Sequence, residues 1–154
     1  MGSDNILLIV YHSQSGSTEQ LAKAIEQGAQ KVASVQVVRM TAASVDADRL
    51  TGCRALALCS PEYFGYMAGA IKDLFDRTYE ATHERTIGKS YAVVVCAGND
   101  GSGALNSIER IILGYRMRKV QEPLVHRGPV NREILDRCQE LGEAMAAGIE
   151  LGIF

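Results

Sequence analysis

The sequence predicts an α/β fold in which a five-stranded parallel sheet carries helices on both faces. Two observations lead to this prediction. Short apolar runs rich in β-branched residues alternate along the chain with segments whose apolar residues recur every three or four positions. Such strands are typical of parallel sheets, whose right-handed crossovers place helices on both sides. A length of 154 residues also fits one compact domain, and we expect it to span residues 1–154.

The strands are predicted from the apolar runs, taken in chain order. Residues 6–10 read ILLIV without interruption, and residues 35–38 read VQVV. The third and fourth strands are expected at residues 55–59 and 91–97, where the chain is again apolar. A weaker fifth strand is expected within residues 120–125, where a proline without a backbone N–H indicates the edge of the sheet.

Four amphipathic helices are predicted from faces that are apolar at helical spacing. The residues of these faces are Leu21, Ala22, Ile25, Ala29 and Val32; Ala70, Ile71, Leu74, Phe75 and Thr78; Leu105, Ile108, Ile111 and Ile112; and Ile134, Cys138, Leu141, Met145 and Ile149. Residues 40–52 are polar and small, and we expect a connection there with a short helix at residues 46–50.

Composition and charge exclude several classes of function. A net charge of -2 and a pI of about 5.9 provide no basic surface for nucleic acid or for an anionic membrane. The apolar runs are far shorter than the roughly 18 residues of a membrane span, and no basic segment with an apolar core stands at the N-terminus. We therefore expect a cytoplasmic protein without nucleic-acid or membrane partners.

The four cysteines argue against a metal or redox site. Cys53, Cys59, Cys96 and Cys138 lie far apart and form no C-x-x-C pair, which a zinc site or a redox dithiol would require. We expect them to be small buried thiols in a reducing compartment, and we expect no metal ion.

A hydroxyl-rich turn at residues 11–18 joins the first strand to the first helix. It reads YHSQSGST and contains no lysine or arginine. The first amides of a helix lack intrahelical partners and carry a partial positive charge, so the turn predicts an anion site that needs no cationic side chain. The alternative is an ordinary connection in which Ser15 or Ser17 only caps the helix. We expect His12, His83 and His126 to be solvated or structural, with His12 the one histidine beside residues 13–18, where it could assist an anion.

Two further unusual loops follow the third and fourth strands. Residues 60–66 read SPEYFGY and are crowded with aromatic rings, and residues 98–103 read GNDGSG. Ligands of parallel sheets bind beyond the carboxyl ends of the strands, where the strand order reverses, and all three loops leave the sheet at that end. An anion site, aromatic rings and a flexible polar backbone together suit a flat, aromatic, phosphorylated ligand.

These loops carry a resemblance to a known family. Residues 13–18 resemble the flavodoxin phosphate loop, in which hydroxyl residues, a glycine and a threonine wrap the phosphate of FMN. Residues 61–65, followed by residues 67–69 and a helix, resemble the flavin loop of a reductase branch of flavodoxin-like proteins. That branch includes the NADPH-dependent FMN reductases and the tryptophan-repressor-binding-protein-like quinone oxidoreductases. The resemblance covers nearly the whole chain and implies a flavodoxin-like three-layer sandwich with strand order 2-1-3-4-5.

The resemblance also implies which residues hold FMN. The first loop would bind the phosphate, with Gly16 allowing close backbone approach. The second would border the isoalloxazine ring, with Tyr63 or Phe64 packed near it and Gly65 beside N5, and the third would hold the pyrimidine side. The implied cofactor-binding residues are Ser13, Gln14, Ser15, Gly16, Ser17, Thr18, Pro61, Glu62, Tyr63, Phe64, Gly65, Gly98, Asn99, Asp100 and Gly101. FMN itself carries the redox chemistry, so no catalytic side chain is implied.

Two activities are compatible with this resemblance. A reductase would take hydride from NADPH or NADH onto FMN and pass electrons to a quinone, a free flavin or another small acceptor. A carrier would shuttle single electrons between protein partners. Flavodoxin carriers are usually very acidic and often have a tryptophan beside the flavin, so a net charge of -2 and the absence of tryptophan favour the reductase. An FMN-binding sensor without turnover is a third alternative.

The expected assembly is a homodimer or homotetramer. Its contacts would come from the helix that carries Leu105, Ile112 and Leu113, or from the apolar residues 149–154. The loops after the second and fourth strands are short, whereas the quinone oxidoreductase relatives carry longer insertions that help build oligomers and nicotinamide pockets.

Overall fold

The fold is an α/β sandwich, as predicted. The computed structural model describes residues 4–154, so residues 1–3 of the expected domain lie outside the described residues. The strands are β1 (Ile6–Tyr11), β2 (Gln36–Thr41), β3 (Ala55–Tyr63), β4 (Tyr66–Met67), β5 (Ser90–Ala97), β6 (Arg118–Lys119) and β7 (Leu124–Arg127). The helices are α1 (Ser17–Ala29), α2 (Ala47–Gly52), α3 (Gly69–Thr82), α4 (Ser102–Tyr115) and α5 (Arg132–Glu150), with a 3-10 turn at Ala42–Ser44.

The sheet has the topology that the resemblance implies. Its strands lie in the order β2-β1-β3-β5-β6, with β7 also paired to β5, and all of these pairs are parallel. The antiparallel exception is β4, which folds back on the end of β3 as a hairpin. Strand order therefore reverses between β1 and β3, and the loops after these two strands leave the sheet side by side.

The predicted fifth strand is only partly correct. It is divided into β6, which pairs with the start of β5 at Ser90, and β7, which pairs with the end of β5 from Val94 onward. The Val120 N–H still donates to the Tyr91 carbonyl at 3.0 Å, and residues 121–123 leave the ladder between the two pieces. Of the predicted range only residues 124 and 125 form a strand. Pro123 accounts for the break, because it cannot donate a ladder hydrogen bond.

Two apolar layers cover the sheet. Alternate residues of β1 point to opposite faces: Leu7 and Ile9 belong to the layer formed with α1 and α5, whereas Leu8 and Val10 belong to the layer formed with α2, α3 and α4. Helices α1 and α5 touch through their backbones, since a Cβ built on Gly28 would lie 1.9 Å from the carbonyl oxygen of Gln139. All four cysteines are free thiols, and their predicted burial is confirmed.

Several predicted boundaries shift in the structure. Helix α1 ends at Ala29, and Val32 follows it as a partly buried residue. Helix α2 extends to Gly52, and the side chain of Asp46 caps it by accepting the Arg49 N–H. The largest difference is β3, which continues beyond residue 59 to Tyr63, so the expected aromatic loop is instead an extended arm and a hairpin.

The residues expected to mediate association are not equally available. Ile112 lies on the buried face of α4, whereas Leu113 is 75% exposed. In the C-terminal tail, Phe154 packs on Gly148, because the chain reverses at Gly152, which has a φ of +73°. Leu151 and Ile153 remain exposed. Within residues 4–154, no helix combines the length and the apolar character needed to cross a bilayer.

Candidate functional site

A cleft of about 350 Å³ opens at the carboxyl ends of β1, β3 and β5. Nine of the fifteen predicted site residues line it, which are Ser13, Gln14, Ser15, Ser17, Thr18, Pro61, Glu62, Tyr63 and Gly98. The other six, Gly16, Phe64, Gly65, Asn99, Asp100 and Gly101, lie outside its lining. The structure thus brings parts of all three predicted loops to one place, as the rule for parallel sheets requires.

The turn after β1 presents backbone amides to this cleft. Gly16 occupies the N-cap position of α1 with a φ of 98°, a conformation that favours glycine, and no cap hydrogen bond from a side chain is formed there. The alternative in which Ser15 or Ser17 caps the helix is therefore wrong. The Ser13 hydroxyl instead accepts the Gly16 N–H at 3.0 Å and tightens the turn. The first amides of α1 thus stay available at the positive end of the helix dipole.

Thr18 and the serines complete this wall of hydroxyls. Thr18 is only 2% exposed but still lines the cleft, whereas Ser15 and Ser17 are joined by a 3.4 Å hydrogen bond between their hydroxyls. The lining contains no lysine, arginine or histidine. An anion in this cleft would therefore be held by amides and hydroxyls alone.

His12 faces a different cavity. It lines a neighbouring space of about 280 Å³ on the other side of the turn, together with Tyr11, Gly16 and Glu19. The Tyr11 hydroxyl donates to Glu19 at 3.0 Å, and burial, followed by this contact, raises the pKa of Tyr11. His12 is therefore absent from the lining of the main cleft, although the sequence placed it next to the predicted anion site.

The hairpin between β3 and β4 is a two-residue turn. Phe64 and Gly65 form it with φ angles of 55° and 68°, and Tyr63 pairs with Tyr66 across it. Two successive positive φ angles are typical of the type I′ hairpin, in which asparagine and glycine are the usual residues. Phe64 holds this conformation despite its side chain, and that side chain is fully exposed. Of the two aromatic residues expected near the ligand, only Tyr63 therefore lines the cleft.

Tyr63 connects the hairpin arm to the turn after β1. Its ring meets that of His12 edge to face at a centroid distance of 6.0 Å. Burial raises the pKa of the Tyr63 hydroxyl, and a hydrogen bond with the Gln14 backbone partly opposes this effect. Tyr63 of the β3 arm is thus in direct contact with the turn after β1.

Glu62 connects the same arm to the loop after β5. Its carboxylate accepts the Gly101 N–H at 3.2 Å and the Ala104 N–H at 3.0 Å. These amides lie at the N-terminus of α4, where a carboxylate is stabilised by the helix dipole. Asp100 also caps this end by accepting the Ser102 N–H, and this contact with Ser102 lowers the pKa of Asp100.

Part of the cleft was not predicted from the sequence. Cys96, Ala97, Gly128 and Pro129 also line it. The loop after β7 supplies the last two, and the ring of His126 fixes this loop by donating from Nε2 to the Pro129 carbonyl at 2.7 Å. The Gly-Pro pair after a strand was the available signal, because the loop leaves the same edge of the sheet. Burial raises the pKa of the Cys96 thiol, so it is an uncharged wall residue.

Known structures share this architecture. An archaeal flavodoxin aligns with a TM-score of 0.81 at 24% identity, covering 94% of this chain and 99% of its own. A flavodoxin described as WrbA-like, from Agrobacterium tumefaciens, aligns with a TM-score of 0.79 at 16% identity, covering 95% and 98%. At these identities the two matches establish the fold.

Two curated relatives match part of the sequence. A flavodoxin from Clostridium saccharobutylicum is 27% identical over 94 residues, which is 60% of this chain and 59% of the relative. An NAD(P)H dehydrogenase (quinone) from Acidithiobacillus ferrooxidans is 29% identical in an alignment that covers 63% of this chain and 59% of the relative. The chain thus spans about three fifths of the length of each.

The family model of flavodoxins matches residues 9–128, a range that contains all three predicted loops and most of the sheet. With the parallel sheet and the cleft at its carboxyl edge, this match is sufficient to assign the chain to the flavodoxin family.

Proposed function

We propose that the protein binds FMN in the cleft and works as an NAD(P)H-dependent oxidoreductase that passes electrons to a quinone or another small acceptor. The main support for FMN binding is the structure of the turn after β1. Its uncapped α1 amides and its hydroxyls offer donors for a phosphate without a cation in the lining. The donor set therefore fits a phosphate monoester such as that of FMN.

The rest of the cleft suits a flat ring. Pro61 and Tyr63 of the β3 arm and Ala97 and Gly98 at the end of β5 all line it, so it offers both apolar surface and backbone to a ring. FMN would supply the redox chemistry, because its ring accepts hydride and returns electrons singly or in pairs. The residues of this chain would bind the phosphate, orient the ring and limit the access of water. No side chain needs to act as a nucleophile or a base.

Two observations support the reductase over the other activities. The rim of the cleft offers aromatic surface to a second planar molecule, because Phe64 is fully exposed and Tyr66 is 42% exposed. The net charge of -2 gives weak electrostatic steering toward a basic protein partner. The similarity to an NAD(P)H dehydrogenase (quinone) agrees with this proposal. A cytoplasmic location remains a prediction.

A one-electron carrier is the second candidate. It is favoured by the end-to-end alignment with the archaeal flavodoxin, which leaves only 6% of this chain and 1% of that chain uncovered. The loops after the second and fourth predicted strands are short, so few residues are available to form a separate nicotinamide pocket. The two candidates differ in their response to a nicotinamide nucleotide.

The deciding experiment is anaerobic reduction of the FMN-loaded protein. NADPH and then NADH are added at equal concentrations while the flavin absorbance is followed, with free FMN at the same concentration as the control. Bleaching much faster than in free FMN, and sustained turnover when a quinone is supplied, are expected for the reductase. Absence of bleaching, with stepwise reduction by dithionite, would reject the reductase and support the carrier.

A further inference from the structure

Glu62 lines the cleft, but its hydrogen bonds are made with another part of the chain. Both bonds go to backbone amides at the start of α4, at 3.2 Å to Gly101 and 3.0 Å to Ala104. One carboxylate therefore joins the β3 arm to the loop after β5, and both of these segments contribute residues to the lining of the cleft. Bonds between a carboxylate and helix N-terminal amides are charge-assisted and stronger than neutral ones.

Two more contacts fasten the hairpin to α4 on the same side. The Ser107 hydroxyl accepts the Met67 N–H at 3.1 Å, so β4 is held by the second turn of the helix. The carbonyl of Gly65 rests on Gly103, where a Cβ would lie 2.0 Å from its oxygen. Glu62, Gly65 and Met67 of the hairpin thus all contact the start of α4. Only glycine at position 103 permits the contact with the Gly65 carbonyl.

These contacts continue to β7 and the loop after it, which supplies Gly128 and Pro129 to the lining of the cleft. Gly101 has a φ of 78°, and a Cβ there would lie 2.5 Å from Cγ1 of Val125 in β7. His126, the next residue, fixes the loop that carries Pro129. A displacement of the hairpin would therefore be transmitted through the start of α4 to the opposite side of the cleft, because close-packed backbone contacts leave little room for independent movement.

We propose that Glu62 is a positioning residue that couples the hairpin to the start of α4 and thereby sets both the affinity and the potential of the bound flavin. This inference rests on the proposed FMN binding. Removing the carboxylate would release the Gly101 and Ala104 amides and loosen both sides of the ring site. It would also remove a negative charge from the lining, which makes the addition of electrons to the flavin more favourable and raises its midpoint potential.

The test compares Glu62→Gln with a matched control, Asp46→Asn. Asp46 also accepts a helix N-terminal amide through its carboxylate, that of Arg49 at 2.9 Å, but it does not line the cleft. Three quantities are measured for each variant: hydrogen exchange of the Gly101 and Ala104 amides in the apoprotein, the Kd for FMN, and the midpoint potential of bound FMN.

In Glu62→Gln the single remaining side-chain oxygen can accept only one of the two amides, so exchange is expected to speed up at one or both of them. FMN binding should weaken about tenfold, and the midpoint potential should rise. Asp46→Asn is expected to leave all three at their wild-type values, even where it lowers the melting temperature. Faster exchange in Glu62→Gln with an unchanged Kd and potential would show a purely structural role and overturn the inference, and so would unchanged exchange. If the wild-type protein does not bind FMN, the proposed function itself is rejected. That result differs from one in which the wild type binds FMN but Glu62→Gln has no effect on binding or potential.

Discussion

The carbonyl oxygen of Gly65 lies so close to Gly103 that a Cβ on Gly103 would be 2.0 Å from it. The first residue belongs to the hairpin at the rim of the cleft, and the second belongs to the first turn of α4. This contact joins two segments that the sequence places 38 positions apart. The geometry of the cleft therefore depends on a glycine that does not line it.

Gly103→Ala is expected to displace the hairpin. The methyl group cannot be accommodated against a backbone carbonyl, and overpacking of this kind costs about 1–3 kcal/mol of folding stability. FMN binding should weaken as well, because Pro61 and Tyr63 lie on the displaced arm. Urea denaturation and FMN titration measure the two effects.

The matched control for this variant is Gly28→Ala. A Cβ at position 28 would meet the Gln139 carbonyl at 1.9 Å, between α1 and α5 and away from the cleft. Stability should fall similarly, but FMN affinity should be retained by the folded protein. Equal losses of FMN affinity in the two variants would contradict a specific role for Gly103.

Thr18→Val tests the phosphate contact proposed for the turn after β1. The substitution keeps the shape of a buried side chain and removes its hydroxyl, so FMN binding should weaken by about 1–3 kcal/mol if that hydroxyl contacts the phosphate. Thr82→Val is the control, because Thr82 is equally buried and its hydroxyl bonds only within α3, to the Thr78 carbonyl at 2.7 Å. An affinity for FMN that is the same in Thr18→Val as in the wild type would remove Thr18 from the phosphate site.

Gly65→Val tests the hairpin tip. Gly65 has a φ of +68°, so a β-branched residue there is strained and should destabilise the turn by about 1–2 kcal/mol. The flavin potentials are expected to shift more than the affinity, because the tip is expected beside N5 of the ring. Gly88→Val, at a φ of +76° in a loop outside the cleft, imposes a similar strain and should leave the potentials unchanged. A redox titration with no shift in Gly65→Val would rule out the N5 contact.

The buried thiols and phenol predict a loss of stability at alkaline pH. Burial raises the pKa of Cys53 to about 11 and those of Cys138 and Tyr115 to about 12. Because these folded-state values lie above the unfolded ones, the native state retains protons that the unfolded state releases. Stability is therefore complete below about pH 9 and falls as the pH rises toward 12.

Urea midpoints measured from pH 8 to alkaline pH check this slope. Cys138→Ala should lower the free energy of unfolding at all pH values. The decrease of this free energy with rising pH should be less steep, because one of the titrating groups has been removed. An identical slope in the variant and the wild type would show that Cys138 does not contribute.

Association of the chain with itself remains a prediction. Leu113 is 75% exposed and Leu151 is 72% exposed, and both would gain stability from burial against another copy. Sedimentation of the wild type at micromolar concentration should show a dimer or tetramer, and Leu113→Ser or Leu151→Ser should shift it toward monomer. A wild type that sediments only as monomer would contradict the prediction.

The sequence predicted the features that local patterns encode. The run at residues 6–10 and the helical spacing from Ile134 to Ile149 depend only on near neighbours, and both elements are found as expected. The hairpin was missed because Phe64 stands at a turn position where asparagine is usual, so the local signal was absent. The partners of Glu62 were missed for another reason: they lie 39 and 42 positions away and are set by packing alone.

We propose that the cleft binds FMN through the turn after β1. Titration of the apoprotein against a fixed FMN concentration, followed by FMN fluorescence, tests it most directly. We expect quenching that saturates at one FMN per chain, with Thr82→Val matching the wild type and Thr18→Val requiring more protein. Apoprotein that is folded by circular dichroism but leaves FMN fluorescence unchanged at every ratio would contradict the claim.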